Sequence, residues 1–169
     1  MTPVEPRQDR VRGAWNLDAL AREIGRLRKD GTRVVLTNGC FDLLHVGHVR
    51  TLQAARALGD VLVLAINSDT SVRQLKGPDR PVVPEDERAE ILSSLSCVDF
   101  VVIFDELDPC RVVSAIAPDF LVKGGDWSLD TIIGREEVEA HGGKVVVLPD
   151  IPGSRTSSLI ARVRGDLPG

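Results

Sequence analysis

The sequence predicts a single doubly wound α/β domain on a five-stranded parallel sheet. Three observations carry that expectation: short runs of β-branched and aliphatic residues, amphipathic segments alternating with them, and glycine or proline at most junctions. The 169 residues suit one core, and no Ser/Gly-rich or Pro-rich linker divides them.

Residues 1–13 contain two prolines and no periodicity, so they are expected to form a flexible tail before a folded domain over 14–169. Asn16 suits an N-cap, and Leu17, Leu20, Ala21, Ile24 and Leu27 follow helical spacing up to Gly31, giving an accessory helix. A strand is expected over 33–37, a helix over 46–58 ended by Gly59, and a second strand over 61–66. Asn67-Ser68-Asp69 then leads a short helical stretch to Leu75. The Lys-Gly-Pro-Asp-Arg-Pro segment that follows reads as a loop, because its glycine and prolines forbid regular structure.

Pro84 opens a helix to Leu95 whose first turn holds Glu85, Asp86 and Glu87, matching the positive end of the helix dipole. Strands are expected over 100–104, 120–122 and 144–148, with helices from Asp108-Pro109 to Ile116 and over 135–140. Parallel strands need crossovers, and right-handed crossovers make this a Rossmann-like sheet covered on both faces. Ligands of such sheets bind at the carboxyl ends of the strands.

The formal net charge of −4 argues against a nucleic-acid backbone as partner. No apolar stretch is long enough for a secretory leader or membrane anchor, so the expected address is cytoplasmic. Cys40, Cys97 and Cys110 are odd in number and form no C-x-x-C pair, which suits reduced thiols. Cys40 has no basic sequence neighbour to activate it and reads as a small turn residue.

The densest chemical signal is Thr37-Asn38-Gly39-Cys40-Phe41-Asp42-Leu43-Leu44-His45-Val46-Gly47-His48. A strand empties into a turn, and two histidines open a helix. Helix N-termini offer free N–H groups and a positive dipole end, so His45 and His48 there suit a phosphate. Histidines three apart at a helix start share a side, and Gly47 lets a ligand approach the backbone. Neither G-x-G-x-x-G nor the P-loop pattern occurs. Taken alone, a His-x-x-His pair reads first as two surface or core histidines, or as a partial zinc site, but zinc would want more ligands than Cys40 and His141 offer.

Gly39-x-Phe41-Asp42-x-x-His45-x-Gly47-His48 resembles the defining motif of the H-x-G-H nucleotidyltransferases. Leu75-Lys76-Gly77-x-x-Arg80-Pro81, Glu87-Arg88, Val122-Lys123-Gly124-Gly125-Asp126 and Thr156-Ser157 are similar to the adenylyltransferases acting on D-glycero-D-manno-heptose 1-phosphate. The resemblance implies that ATP and the sugar phosphate join by direct in-line attack on the α-phosphorus, giving ADP-heptose and pyrophosphate. It makes His45, His48 and Lys76 the catalytic groups, with Lys76 on the flexible loop. It implies nucleotide contacts from Thr37, Asn38, Gly39, Cys40, Phe41, Gly47, Lys123, Gly124 and Asp126, and from Thr156 and Ser157 at another helix start. Asp69 and Arg88 would face the acceptor, with Asp42 either there or organising the turn.

Mg2+ is expected to accompany ATP without a dedicated protein cage. A homodimer and a separate heptose-phosphate kinase upstream are further implications. Where many relatives carry Ser-Thr this chain has Arg155-Thr156, a guanidinium that either strengthens triphosphate binding or faces solvent. Trp127 is either a base-stacking surface or ordinary packing. Two other functions compete: a cytidylyltransferase using CTP and a polyol or amino-alcohol phosphate, and a nucleotide-binding regulatory module without catalysis.

Overall fold

A computed structural model describes residues 10–11, 13–125, 127–149, 151 and 156–165. Its sheet has seven strands in the order β1-β2-β5-β4-β3-β6-β7. These are β1 (Arg10–Val11), β2 (Ala14–Trp15), β3 (Val34–Gly39), β4 (Val61–Asn67), β5 (Phe100–Phe104), β6 (Phe120–Gly124) and β7 (Lys144–Leu148). The expected five are β3 to β7, all parallel, and β2 adds a sixth parallel strand beside β5.

The expectation of five strands is therefore corrected at the edge. β1 pairs antiparallel with β2 through a turn at Gly13, inside the segment expected to be a loose tail. Two-residue strands are too short to show alternation. Gly13 has φ +84°, and a Cβ there would lie 2.5 Å from Ser93 Oγ and 3.0 Å from the Ala89 carbonyl, so position and conformation both require glycine.

Seven α-helices lie among the described residues: α1 (Leu17–Lys29), α2 (Val46–Arg56), α3 (Asp69–Lys76), α4 (Glu85–Ser93), α5 (Cys110–Ile116), α6 (Arg135–Ala140) and α7 (Thr156–Arg164). Asn16 caps α1 as its sequence position suggests, accepting from the Asp18 and Ala19 N–H groups. α3 runs one residue beyond the expected stop, so Lys76 ends a helix rather than opening the loop. α2 stops at Arg56 and turns into Gly59, where a Cβ would meet Val35 Cγ2 at 2.7 Å. No helix among the described residues is long and apolar enough to cross a membrane.

Alternate residues of β3 feed two apolar layers, as strand geometry demands. Val34 and Leu36 join Leu20, Ile24 and Val113 on one face; Val35 joins Leu52, Leu62 and Leu92 on the other. From the central β3 the chain steps outward through β4 and β5, then returns to β3's other side for β6 and β7. Strand order reverses between β3 and β6, and a crevice opens outside their carboxyl ends.

Candidate functional site

A cleft of about 590 Å³ occupies that crevice. The end of β3 supplies Thr37, Asn38 and Gly39, and the following turn supplies Cys40, Phe41 and His45. Gly47, His48 and Thr51 come from the first turns of α2. Lys76, Gly124, Gly125, Trp127, Ile151 and Thr156 complete the lining. Chain segments far apart in sequence thus place a helix N-terminus, two imidazoles, an ammonium and a hydroxyl around one space.

The turn between β3 and α2 is held under backbone strain. Phe41 and Leu43 take φ of +48° and +52°, a left-handed conformation that costs side-chain-bearing residues of the order of 1–3 kcal/mol each. Asp42 between them clamps the turn. Its carboxylate accepts from the Val82 N–H at 2.8 Å, the Val83 N–H at 2.9 Å and Arg80 Nε at 2.7 Å. Its carbonyl accepts from Thr156 Oγ1 at 3.1 Å, tying α7 to the turn. Although burial opposes it, these bonds and the Arg80 charge hold the Asp42 pKa below the ordinary carboxylate range.

The two imidazoles stack, with ring centroids 3.8 Å apart and planes 23° from parallel. The Phe41 ring lies 5.1 Å from His48 on a tilted plane. His48 Nδ1 accepts the backbone N–H of His45 at 3.4 Å, which leaves the His48 proton on Nε2. Burial first, and His45 second, push the His48 pKa down to about 4. His45 is lowered by burial as well, and its buried Nδ1 has no hydrogen-bond partner among the described residues. Two neutral imidazoles thus stand beside the N–H groups that open α2.

Lys123, on β6, donates to Asn38 Oδ1, and burial lowers its pKa to about 8. A Cβ at Gly124 would meet Thr51 Cγ2 at 2.8 Å, so any larger residue there would displace the Thr51 side chain beside the cleft. Burial raises the Cys40 thiol pKa despite the nearby Lys76, Arg88 and Arg80 charges, which keeps it protonated at neutral pH. All three cysteines are free.

Thr37, Asn38, Gly39, Cys40, Phe41, His45, Gly47, His48, Lys76, Gly124 and Thr156 therefore meet around one cleft. Ser157 is exposed and outside the lining, and Lys123 borders an adjoining niche instead. Asp69 and Arg88, expected to face the acceptor, do not line the cleft, and neither does Asp42, which takes the turn-organising role of its two expected ones. Arg88 is only 2% exposed. Its Nε donates to the Val83 carbonyl, Nη1 to the Cys40 and Asn67 carbonyls, and Nη2 to Asp69, all at 2.6–2.9 Å. The guanidinium is a strut joining α4 to the 80–83 loop, the turn after β3 and the end of β4, and Asp69 is its counter-ion. Asp126, Ser154 and Arg155 lie outside the described residues.

Thr51 and Ile151 were not anticipated from sequence. Thr51 had a signal, since it follows His48 by three residues and must share its helix face. Ile151 had none.

Residues 36–164 match the cytidylyltransferase-like family. The bifunctional protein HldE of Citrifermentans bemidjiense is 54% identical over 148 residues, which cover 88% of this chain and 30% of that protein. The bifunctional protein HldE of Geobacter sulfurreducens is 51% identical over the same length and shares. This chain thus spans about 30% of the length of the curated relatives it matches. The lipopolysaccharide core biosynthesis protein from Thermoplasma volcanium GSS1 aligns with a TM-score of 0.60 and 27% identity, over 72% of this chain and 98% of its own.

Proposed function

This chain belongs to the cytidylyltransferase-like family, and from that premise we propose that it is an adenylyltransferase of heptose metabolism. It joins ATP and D-glycero-D-manno-heptose 1-phosphate, giving ADP-heptose and pyrophosphate. The observation that carries this reading is the stacked His45–His48 pair at the N-terminus of α2, facing a cleft that also holds Lys76, Gly124 and Thr156.

Transfer of a nucleotidyl group to a phosphate oxygen needs alignment and charge stabilisation more than a base, because the attacking oxygen is already ionised at neutral pH. His48 presents Nε2–H, and the α2 amides stand beside it, so both would donate to oxygens that gain charge in the transition state. Lys76 ends α3 at the cleft and would bridge the incoming phosphate and the α-phosphate. Gly47 and Gly124 keep the walls bare, so a triphosphate can lie against backbone.

The described lining residues include no carboxylate, and Asp42 commits its oxygens to the 80–83 loop. A magnesium ion entering on the triphosphate would neutralise its charge there. A kinase acting on the sugar would supply the 1-phosphate.

Pyrophosphate release across a matrix of ATP and CTP against heptose 1-phosphates, polyol phosphates and amino-alcohol phosphates tests the reading. ATP with the heptose 1-phosphate should be the most productive pair. Turnover with CTP and a polyol phosphate but not with that pair would replace it with the cytidylyltransferase. Triphosphate binding by calorimetry without turnover on any acceptor would leave only a regulatory module.

A further inference from the structure

Lys76 has the bridging role in the proposed chemistry, yet among the described residues it makes no hydrogen bond or ion pair of its own. It is exposed, it ends α3, and Gly77 follows it with φ +101°. Helix ends of this kind fray unless the chain beyond them is tied down.

The tie lies four residues further on, at Arg80. Asp42 is buried and commits both carboxylate oxygens to one short stretch: Oδ1 accepts the Val83 N–H, and Oδ2 accepts the Val82 N–H and Arg80 Nε. A buried carboxylate with three donors, one of them charged, is an anchor. Between anchor and lysine the chain is a turn rather than a slack loop, because the Arg80 N–H donates to the Gly77 carbonyl at 3.2 Å. Asp42 itself belongs to the H-x-G-H turn, and its carbonyl holds Thr156 of α7. The end of α3 is thereby registered against both elements expected to hold the triphosphate.

Charge is sorted to match. Lys76, Arg80 and Arg88 all stand close enough to the Cys40 thiol to act on it electrostatically. Asp42 neutralises Arg80 and Asp69 neutralises Arg88, which leaves Lys76 as a cation that no carboxylate among the described residues claims.

We propose that Arg80 and Asp42 form a latch that positions Lys76, with Arg80 a positioning residue that touches neither substrate. The proposal rests on the bridging role given to Lys76 above. Arg80 draws the 80–83 stretch onto the buried carboxylate, the 77–80 turn carries that constraint to the end of α3, and the ammonium is held at the cleft.

A double-mutant cycle between Arg80 and Lys76 tests the latch, because residues that act through one another are not additive. Arg80→Gln should lower kcat about 10- to 100-fold, the cost of misplacing a group that aligns reacting atoms, with KM for ATP and for the sugar phosphate within about threefold of wild type. In a Lys76→Met background the same change should lower kcat by less than about twofold. Thermal melts confirm that each variant is folded at the assay temperature. Losses that multiply in the double variant would show that Arg80 acts on its own and would overturn the latch, as would an Arg80→Gln enzyme with the wild-type rate. Lys76→Met at the wild-type rate would overturn it too, by removing the role it serves.

Hydrogen exchange reads the same device without turnover. In the ligand-free protein the Val82 and Val83 amides should be protected at least about tenfold relative to the exposed Asp79 amide, after correction for sequence-dependent rates, and Arg80→Gln should lose most of that protection. Equal exchange at all three positions in wild type would remove the latch and leave the overall reaction standing. Protection that depends on Arg80, in a protein that turns over no pair of substrates, would keep the latch and remove the reaction.

Discussion

The two ends of the sheet treat their polar groups in opposite ways. At the amino ends, an aspartate stands immediately before each of three strands and accepts the N–H of a neighbouring chain segment. Asp60 takes the Arg33 N–H at 2.8 Å, Asp99 that of Leu62 at 2.8 Å and Asp119 that of Val34 at 2.7 Å. At the carboxyl ends lie, among the described residues, a buried imidazole nitrogen without a partner, a desolvated ammonium held by one amide, and the left-handed Phe41 and Leu43. One end closes the fold and the other leaves donors for a ligand, which is the local disagreement with folding rules that functional sites show.

Arg88 tests where that boundary runs, because it sits at the active end yet is bonded like the closed one. Arg88→Met leaves three carbonyls and Asp69 without their donor, which should cost ~3–5 kcal/mol of stability. Urea unfolding reads this directly. A variant that unfolds at the wild-type midpoint but loses affinity for the sugar phosphate would return Arg88 to the ligand groups and erase the contrast.

His48→Ala should do the reverse. Removing one preorganised donor at a developing charge typically lowers turnover ~100- to 1000-fold, while the partly exposed ring contributes less to folding. Initial rates beside a thermal melt separate the two effects. Near-wild-type turnover would mean that the stacked histidines serve only to shape the turn.

The strands were plain in the sequence, and the polar groups at either end only partly so. β3 to β7 announce themselves as continuous apolar runs, whereas the N–H groups that Asp60, Asp99 and Asp119 accept come from other strands and show only once the sheet assembles. The H-x-G-H turn could be read because its chemistry is packed into consecutive residues. Arg88 could not be: an arginine in an acid-rich helix start looks solvated or ligand-facing, and one dimension does not show carbonyls of Cys40, Asn67 and Val83 converging on it. The niche was hidden likewise, since Asn67, Leu107 and Trp127 meet only when the sheet assembles. β1 and β2 were too short to carry a period.

Asp119→Ala isolates the closed end. Val34 is fully buried, so its orphaned N–H should cost ~1–3 kcal/mol in unfolding free energy. Turnover at a temperature where the variant stays folded should match wild type. A comparable loss of rate would show that the two ends are coupled through β3 and that the division into a closed and an open end is too simple.

The last expected effect concerns pH, and it reads the open end through its charge. His48 is held at about 4 against an ordinary 6.5, so between those values the unfolded chain binds a proton that the native chain refuses. The resulting stability is fully present above 6.5 and declines as pH falls through about 4. Wild type should therefore lose melting temperature faster than His48→Gln over that window; comparing the two also cancels the acid sensitivity of the shared carboxylates, Asp42 among them. A bound triphosphate should oppose the effect, since an anion beside the ring favours the imidazolium, and binding near pH 5 should take up a proton. Calorimetry in two buffers of different ionisation enthalpy measures that proton. Equal heats in both, with wild type and variant melting in parallel, would show that the His48 ring meets neither the desolvation nor the anion assigned to it.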